Sequence, residues 1–316
     1  MKSFGYPTKV LFLLIVLLSL TVVVQAQATR TWVASSAGGG DDANPCSRTA
    51  PCGTFAGAIS KTHEGGEIDV IEPGSYGMVT ITKAITIDGG TGAGWAGILA
   101  GNGSAGIIVN VTSGNHVDKA KVILRHLSIN GAKQAGNGGD IGIHVIKVEE
   151  LHIENVNIED CNSQGVNIDG ADGIRVYLNH VSLSHNMTGV RMNTASGFFA
   201  TAYLDDVSIQ GSNNGVNAVA NAIAIIRNSF FAENRGDVGA IKASSGCFIY
   251  LENNMFAGNL IAVSAAAGGT VNISNNSFYG NTTALSGAGT IATATNSNKF
   301  AGNSSDGATN ATITVK

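Results

Sequence analysis

Residues 151–168 read LHIENVNIEDCNSQGVNI and combine two conflicting patterns. Apolar residues alternate with polar ones from Leu151 to Ile158, as in a β-strand with one buried face. The alternation slips by one residue at Asn155, and asparagine is depleted in strands but favoured where the backbone enters the left-handed region. The stretch therefore predicts two short strands joined by a corner at Asn155.

The pattern around Asn155 recurs at intervals of 22 to 29 residues. The predicted corners are His126, Asn155, His180, Asp206, Asn228, Asn253, Asn275 and Ser297. In nearly every copy the residues two before and three after the corner are apolar, which predicts two columns of core side chains. A second asparagine recurs about six residues after most corners, at Asn162, Asn186, Asn213, Asn234, Asn259, Asn281 and Asn303.

A repeat of this length, built from short strands without an intervening helix, is typical of a solenoid. Helical repeats are longer and show a 3.6-residue period, and leucine-rich repeats place leucine in a fixed frame, so neither fits. We predict an all-β fold, a parallel β-helix whose rungs stack ~4.8 Å apart. Stacking would align Asn228, Asn253 and Asn275 in a hydrogen-bonded ladder. It would also form an internal aromatic column from Phe231, Phe256, Phe278 and Phe300.

The first 26 residues have the pattern of a secretory signal peptide. Two lysines precede an apolar run from Val10 to Val24, and Val24-Gln25-Ala26 is a small-residue cleavage pattern. An uncleaved anchor is the alternative, although the run is short for a membrane span. We predict a secreted or periplasmic protein that begins near Gln27 and has no transmembrane domain after cleavage.

The remaining chain is expected to form an N-terminal cap over residues 27–66 and the β-helix over residues 67–316. Phe55, Ala58 and Ile59 have helical spacing, which predicts a short helix covering the first rung. Without the signal peptide the chain carries 16 Lys and Arg residues against 22 Asp and Glu, a net charge of −6. No basic stripe stands out, so we do not expect a nucleic-acid partner.

The four cysteines are expected to meet an oxidising compartment. Cys46 and Cys52 enclose a short loop, and we predict a disulfide between them. Metal binding by this pair is less favoured, because no further Cys or His lies nearby at ligand spacing. In the predicted register Cys161 and Cys247 are three rungs apart, ~14 Å or more, whereas a disulfide needs Cα atoms within about 7 Å. We expect both to be free and mostly buried.

The segments DDANPCSRTAPCGTFAGAI (41–59) and GGEIDVIEPGSYGMVTITKAITIDG (65–89), followed by the rungs with asparagine corners, resemble secreted right-handed parallel β-helix proteins of the pectin-lyase-like superfamily. The resemblance covers nearly all of the mature chain and implies a right-handed β-helix with a carbohydrate-associated role. That fold carries lyases, hydrolases, esterases, epimerases and non-catalytic surface proteins. Of the catalytic patterns of these enzymes only Asp205-Asp206 is present, and Asp206 is a predicted corner, which favours a structural role.

The strand after the second turn of each rung should place alternate residues on one exposed face. These residues are His144, Asn167, Asp169, Arg191, Asn193, Asn217 and Lys242. Cleavage of a uronate polymer by elimination needs a base and a positive charge near the carboxylate, roles that His144 and Arg191 could fill. Asp169 could hold Ca²⁺, as could the Gly- and Asp-rich turns near Asp41 and Asp140, although ordinary turns are the simpler interpretation of both. Asn167, Asn193, Asn217 and Lys242 would then bind substrate.

Two other interpretations of the predicted exposed residues remain possible. Glycoside hydrolysis needs two carboxylates about 5 to 9.5 Å apart, and only Asp169 and Asp172 are expected near this face. Tyr177 and Tyr203 should point outward from another strand, where a stacked pair would make a modest glycan platform. We predict a protein that binds, and could cleave, an acidic extracellular polysaccharide or cell-surface glycan. A non-catalytic structural or adhesive solenoid is the alternative.

Overall fold

The computed structural model describes residues 27–90, 96–101, 103–114, 119–133, 138–170, 173–195, 197–294 and 296–313. The predicted signal peptide, residues 1–26, lies outside these ranges. In the described part of the chain the structure has one helix, α1 (Phe55–Lys61), and 28 strands in two parallel sheets. Within the same ranges, no helix combines the length and the apolar character that a membrane span requires.

Nineteen strands of the described residues form sheet A. They are β1 (Ala28–Val33), β2 (Thr62–Val70), β3 (Gly74–Ser75), β5 (Ile85–Asp88), β6 (Ala96–Leu99), β8 (Lys121–Arg125), β9 (Leu127–Asn130), β11 (Glu150–Glu159), β13 (Arg175–Ser184), β15 (Ala200–Gln210), β17 (Ala222–Arg227), β18 (Phe230–Ala232), β20 (Phe248–Glu252), β21 (Met255–Ala257), β23 (Thr270–Ser274), β24 (Ser277–Tyr279), β26 (Thr290–Thr293), β27 (Lys299–Ala301) and β28 (Ala311–Thr312).

The other nine described strands form sheet B. They are β4 (Val79–Ile81), β7 (Ala105–Asn110), β10 (Ile141–Lys147), β12 (Gln164–Ile168), β14 (Thr188–Asn193), β16 (Asn214–Ala220), β19 (Ile241–Ala243), β22 (Ile261–Ala265) and β25 (Thr283–Ser286). Each rung therefore crosses sheet A in two segments and sheet B in one. The predicted parallel β-helix is confirmed.

The two sheet A segments of a rung meet at a left-handed residue. Seven of the predicted corners, from His126 to Asn275, have φ between 51° and 58°. The prediction of Ser297 in the last rung is wrong, because the positive φ of 54° belongs to Asn296. The short polar side chain of asparagine tolerates this conformation better than most residues do.

The interior is filled by the two predicted apolar columns. In the column after the corner, the rings of Phe231, Phe256, Phe278 and Phe300 stack with centroids 4.8 to 5.1 Å apart. Phe231, Phe256 and Phe278 are fully buried, and each buried phenylalanine contributes roughly 1.5–3 kcal/mol. Packing of like residues on successive rungs thus holds the stack in register.

Buried asparagines form two further ladders beside this column. Their Nδ2 groups donate to the Oδ1 atom of the next rung over 2.9 to 3.1 Å. The ladders are Asn254, Asn276 and Asn298, and Asn234, Asn259, Asn281 and Asn303. Because backbone groups of adjacent rungs also bond to these amides, the interior polar atoms are largely satisfied.

The ladder predicted at the corners forms only in part. At the exposed corners Asn253 donates to Asn228 over 2.7 Å, but among the described contacts no side-chain hydrogen bond joins Asn275 to Asn253. In the second row of asparagines, the inward positions of two rungs are occupied by Cys161 and Ser212 rather than by the neighbouring Asn162 and Asn213. In these two rungs the sixth residue after the corner points inward, so the seventh does not.

The N-terminal region packs a short helix against the first strands of the solenoid. A helix forms at the predicted position, where Thr54 Oγ1 accepts a hydrogen bond from Gly57 N over 2.9 Å as the N-cap. α1 buries Phe55 and Ala58 and packs against β1, β2 and β4. β1 already belongs to sheet A, and the expected boundary between residues 66 and 67 lies inside β2.

The cysteines divide as expected from the register. Cys46 and Cys52 form a disulfide with Cα atoms 4.6 Å apart, which confirms the predicted pairing. Cys161 and Cys247 are free and buried. Burial raises the pKa of the Cys161 thiol to about 12, helped by the neighbouring Asp160 carboxylate. Both thiols are therefore protected from solvent reagents in the folded protein.

Candidate functional site

Five of the predicted site residues occupy one column on the outer face of sheet B. Adjacent strands place them opposite one another in the order His144, Asn167, Arg191, Asn217 and Lys242. Apolar neighbours in the same strands, such as Val166 and Val190, point into the core. Strand alternation thus fixes which side chains reach this face, and rung stacking brings them together. We call this set the sheet B column.

A hydrogen-bonded chain links three residues of the sheet B column through Asp169, which follows β12. His144 Nε2 lies 2.8 Å from Asp169 Oδ1, and Asn167 Nδ2 donates to Asp169 Oδ2 over 2.8 Å. Arg191 Nη1 donates to Asn167 Oδ1 over 3.2 Å. Asn167 is only 4% exposed, so it acts as a fixed spacer between the carboxylate and the guanidinium. The bond to Asp169 places the proton of a neutral His144 on Nε2 and leaves Nδ1 as an acceptor.

The side chains in the C-terminal half of the sheet B column make fewer hydrogen bonds with one another. Lys242 makes no side-chain hydrogen bond or ion pair with the described residues, and Asn217 Oδ1 is buried without a hydrogen-bond partner among them. Arg191 uses only its bond to the neutral Asn167. Two cations, with the rung of Asn217 between them, therefore retain free donor capacity.

The column is longer than sequence reasoning proposed. Ser264 lies opposite Lys242, and Ser286 lies opposite Ser264. The alternation in IAVSA (261–265) carries the signal that would have found Ser264, because its neighbours Val263 and Ala265 are buried. Asn193 ends β14 and lies opposite Ala220 beyond a register shift, so it stands beside the column rather than in it.

Among the described residues the Asp169 carboxylate belongs to no group of three acidic, His or Cys side chains close enough to share an ion. Each of its oxygens accepts one hydrogen bond, so a Ca²⁺ ion would have to share these oxygens with His144 and Asn167. Asp172, the expected second carboxylate for hydrolysis, lies outside the described residues. The arrangement fits a hydrogen-bonded acid and base group better than a cation site.

The outer face of sheet A uses its charges differently. Each of its four arginines contacts a carboxylate: Arg30 with Asp69, Arg125 with Asp88, Arg175 with Glu149 and Glu150, and Arg227 with Asp205. At the corners, His180 Nε2 lies 3.0 Å from Asp206 Oδ2, which agrees with a structural role for Asp206. The arginines of this face are therefore paired within the protein.

Aromatic side chains also stack on the outer face of sheet A. Tyr177 lies between His152 and Tyr203, with ring centroids 4.6 and 4.8 Å apart. Stacking along the solenoid axis covers both faces of the Tyr177 ring. A sugar ring would need a free aromatic face, so this stack offers edges and hydroxyl groups rather than the expected glycan platform.

The comparison with protein families agrees with the fold. The family described as right-handed beta helix region matches residues 141–305. ORF18 of Geobacillus virus E2 is 13% identical, with a TM-score of 0.49 over 96% of this chain and 64% of its own. Pectate lyase Pel9A is 16% identical, with a TM-score of 0.47 over 86% of this chain and 80% of its own.

A GH87 alpha-1,3-glucanase from Streptomyces thermodiastaticus strain HF3-3 is 14% identical, with a TM-score of 0.47 over 89% of this chain. The chain spans 66% of the glucanase catalytic unit. No curated protein matches the sequence. Since the family match covers more than half of the chain, the protein belongs to the right-handed β-helix family.

Proposed function

We propose that the protein is exported and binds an acidic polysaccharide along the sheet B column. The observation that carries this proposal is the pair of cations, Arg191 and Lys242, that keep free hydrogen-bond donors because neither contacts a carboxylate among the described residues. Two rungs separate them, a distance of roughly 9.5 Å. A polymer with carboxylates at regular intervals could contact both at once.

The side chains of the sheet B column would bind the polymer in two ways, through positive charge and through hydrogen bonds. The Arg191 guanidinium can bind a uronate carboxylate with two parallel N–H groups, and Lys242 can act as a second point charge. Ser264 and Ser286 extend the row with hydroxyl groups suited to sugar hydroxyls. Although the chain as a whole is acidic, Arg191 and Lys242 make the sheet B column a local positive site that could bind a polyanion.

Cleavage by β-elimination is the first specific activity that we infer. His144 Nδ1 would accept the proton next to the uronate carboxylate, while Arg191 stabilises the negative charge that develops there. The electron pair forms the new C=C bond, the bond to the leaving glycan oxygen breaks, and water protonates that oxygen. The Asp169 contact at 2.8 Å supports this role because it orients the ring and stabilises its protonated form.

A non-catalytic surface solenoid is the second candidate. It is favoured by the complete hydrogen bonding of Asp169, which ties the carboxylate into the wall of the face. In that case the same column binds the polymer, and no bond is broken.

The test uses the mature protein with polygalacturonate, alginate and neutral glucan. Binding is measured by isothermal titration calorimetry, and elimination by the ultraviolet absorbance of unsaturated uronide products, with and without Ca²⁺. Arg191→Ala should weaken binding at least about 10-fold, about 1.4 kcal/mol, whereas the matched sheet A variant Arg227→Ala should bind as the wild type does.

The outcomes separate the candidates. Product formation that is lost in His144→Gln but not in Arg227→Ala supports a lyase. Binding of uronates without product supports the surface solenoid. No binding of any acidic polymer by folded protein, or equal loss in both arginine variants, would show that the sheet B column is not the site.

A further inference from the structure

Three carboxylates meet on the outer face of sheet A, at the N-terminal end of the solenoid and away from the sheet B column. Glu67 and Asp69 lie on β2, and Asp88 ends β5, where it lies directly opposite Asp69. One oxygen of each carboxylate lies within 4.8 Å of the other two. In the described residues no other group of three acidic, His or Cys side chains is this close. We call these residues the rung-one triad.

Asp69 is the buried centre of the triad. It is 1% exposed, and its Oδ2 atom contacts Arg30 Nε. Its Oδ1 atom is buried and has no hydrogen-bond partner among the described residues. Buried carboxylate oxygens are normally hydrogen-bonded or bound to a cation, so this oxygen either shares a proton with the neighbouring Glu67 carboxyl group or contacts a bound ion.

The surrounding charges do not neutralise the triad. Arg30 Nη2 lies 3.2 Å from Glu67 Oε1, and Arg125 Nε lies 2.7 Å from Asp88 Oδ2, so two guanidinium groups face three carboxylates. His126 Nδ1 lies 2.9 Å from Asp88 Oδ1. A bound positive charge would balance the remaining carboxylate.

We propose that Glu67, Asp69 and Asp88 bind a divalent cation, with Ca²⁺ as the ion of matching size. Ca²⁺ binds carboxylate oxygens at roughly 2.3–2.6 Å, so two oxygens on opposite sides of one ion lie at most about 5.2 Å apart. The 4.8 Å separation within the triad fits this limit. Mg²⁺ binds at roughly 2.1 Å and would require oxygens no more than about 4.2 Å apart. Water would fill the remaining coordination positions.

The site would stabilise the end of the solenoid. Its ligands come from the adjacent strands β2 and β5, and only β1 lies beyond β2 at this end of sheet A, so a link between the two strands would strengthen the end of the stack. Arg30 remains compatible with the ion because its side chain is half exposed and can leave Asp69 when the ion binds. The inference is therefore independent of the polysaccharide site.

Terbium luminescence tests the site directly, because Tb³⁺ replaces Ca²⁺ and is sensitised by a nearby tryptophan. Trp32 lies directly opposite Asp69 in the pairing of β1 with β2. We expect saturable Tb³⁺ emission from the mature protein, displaced by Ca²⁺ with half-saturation at about 0.1–1 mM. Trp32→Phe should abolish the emission but leave Ca²⁺ binding intact by calorimetry.

Glu67→Gln is the decisive variant. Glu67 is partly exposed and the substitution keeps its shape, so the protein should fold. Ca²⁺ affinity should fall at least about 10-fold, which is about 1.4 kcal/mol. Glu252→Gln, on the same outward row of sheet A but far from the triad, is the matched control and should bind as the wild type does.

Thermal melting gives a second readout. Ca²⁺ should raise the melting temperature of the wild type by several degrees, Mg²⁺ should raise it less, and EDTA should reverse the effect. Absence of saturable Tb³⁺ emission, or emission and Ca²⁺ stabilisation that persist in Glu67→Gln, would overturn the proposal. If Glu67→Gln instead melts higher than the wild type in EDTA and Ca²⁺ affects neither, the triad is a proton-sharing structural cluster and the proposal is wrong.

Discussion

The outer faces of the two sheets are built by the same alternation but use their polar groups differently. On sheet A each arginine is paired with a carboxylate, as in the contact of Arg175 Nη2 with Glu149 Oε1 at 2.7 Å. On sheet B, Arg191 contacts only a neutral amide, and Lys242 has no polar side-chain contact with the described residues. Apart from the rung-one triad, the paired arginines of sheet A have little to offer an acidic ligand, whereas the unused donors of sheet B are a binding capacity that the fold does not need.

The largest expected effect is the loss of folding stability when the buried asparagine ladder between the two sheets is broken. Asn259 accepts from Asn234 and donates to Asn281 and to the Phe231 carbonyl oxygen, and it is 1% exposed. Asn259→Ala would leave several buried polar groups without partners and should cost at least about 3 kcal/mol. Urea denaturation measures the loss. Asn272→Ala, on the outer face of sheet A, is the control and should cost less than about 0.5 kcal/mol.

An equal loss in both asparagine variants would contradict the role of the buried ladder. It would also mean that the register of the two faces depends on apolar packing alone.

The next largest effect is the protection of an introduced cysteine by bound polymer, which shows on which sheet the polymer lies. Single cysteines introduced by Ser264→Cys on sheet B and Thr270→Cys on sheet A report the accessibility of each face. The wild-type background should be silent to a thiol reagent near neutral pH, because Cys161 and Cys247 are buried and burial raises the pKa of Cys161 to about 12. Saturating uronate polymer should slow labelling several-fold at position 264 and leave position 270 unchanged. Protection at position 270 instead would place the ligand on sheet A.

The smallest effect comes from breaking an ion pair on sheet A. Replacing both Glu149 and Glu150 with Gln frees Arg175 and should destabilise the protein by less than about 1 kcal/mol, since the pair is partly exposed and screened. If unused cations define a binding face, this variant should gain weak, salt-sensitive binding of polyanions. Calorimetry at low and high salt measures the gain. Unchanged binding would show that charge alone does not distinguish the two faces.

The same pair predicts the direction of a pH effect. The Arg175 contact lowers the pKa of Glu150, so its small stabilising contribution is present above the unfolded-state pKa and is lost as the pH falls through the folded-state value. The wild type should therefore lose slightly more stability in acid than the double glutamine variant. Urea midpoints measured at neutral and acid pH check this difference.

Much of the fold could be predicted because a solenoid repeats the same local requirement in every rung. Asn155 and six other corners follow from the need for a left-handed residue between two strands. The sheet B column follows from strand alternation once the corners are placed. The error at Ser297 is a shift of one residue, and Asn162 and Asn213 lie one residue beyond the inward positions, because several polar residues near each turn fit the pattern about equally well.

The rung-one triad could not be found in the same way. Glu67 and Asp69 are two residues apart, but Asp88 is a full rung later, and the first rung lacks the asparagine corner that fixed the register elsewhere. The bonds of Asp169 to His144 and Asn167 also depend on side-chain rotation at the end of β12. Periodicity predicts which face a side chain occupies but not which neighbour it contacts.

The sequence by itself determined the solenoid, its corners, its aromatic column and the identity of the residues on each face, because these depend on backbone propensity and on the two-residue period of a strand. Only the tertiary structure decided which charges are paired. Ion pairs and hydrogen bonds require atoms within about 3–4 Å, and rungs of unequal length set those distances. The contrast between the paired arginines of sheet A and the unpaired Arg191 and Lys242 of sheet B is therefore a property of how the rungs stack.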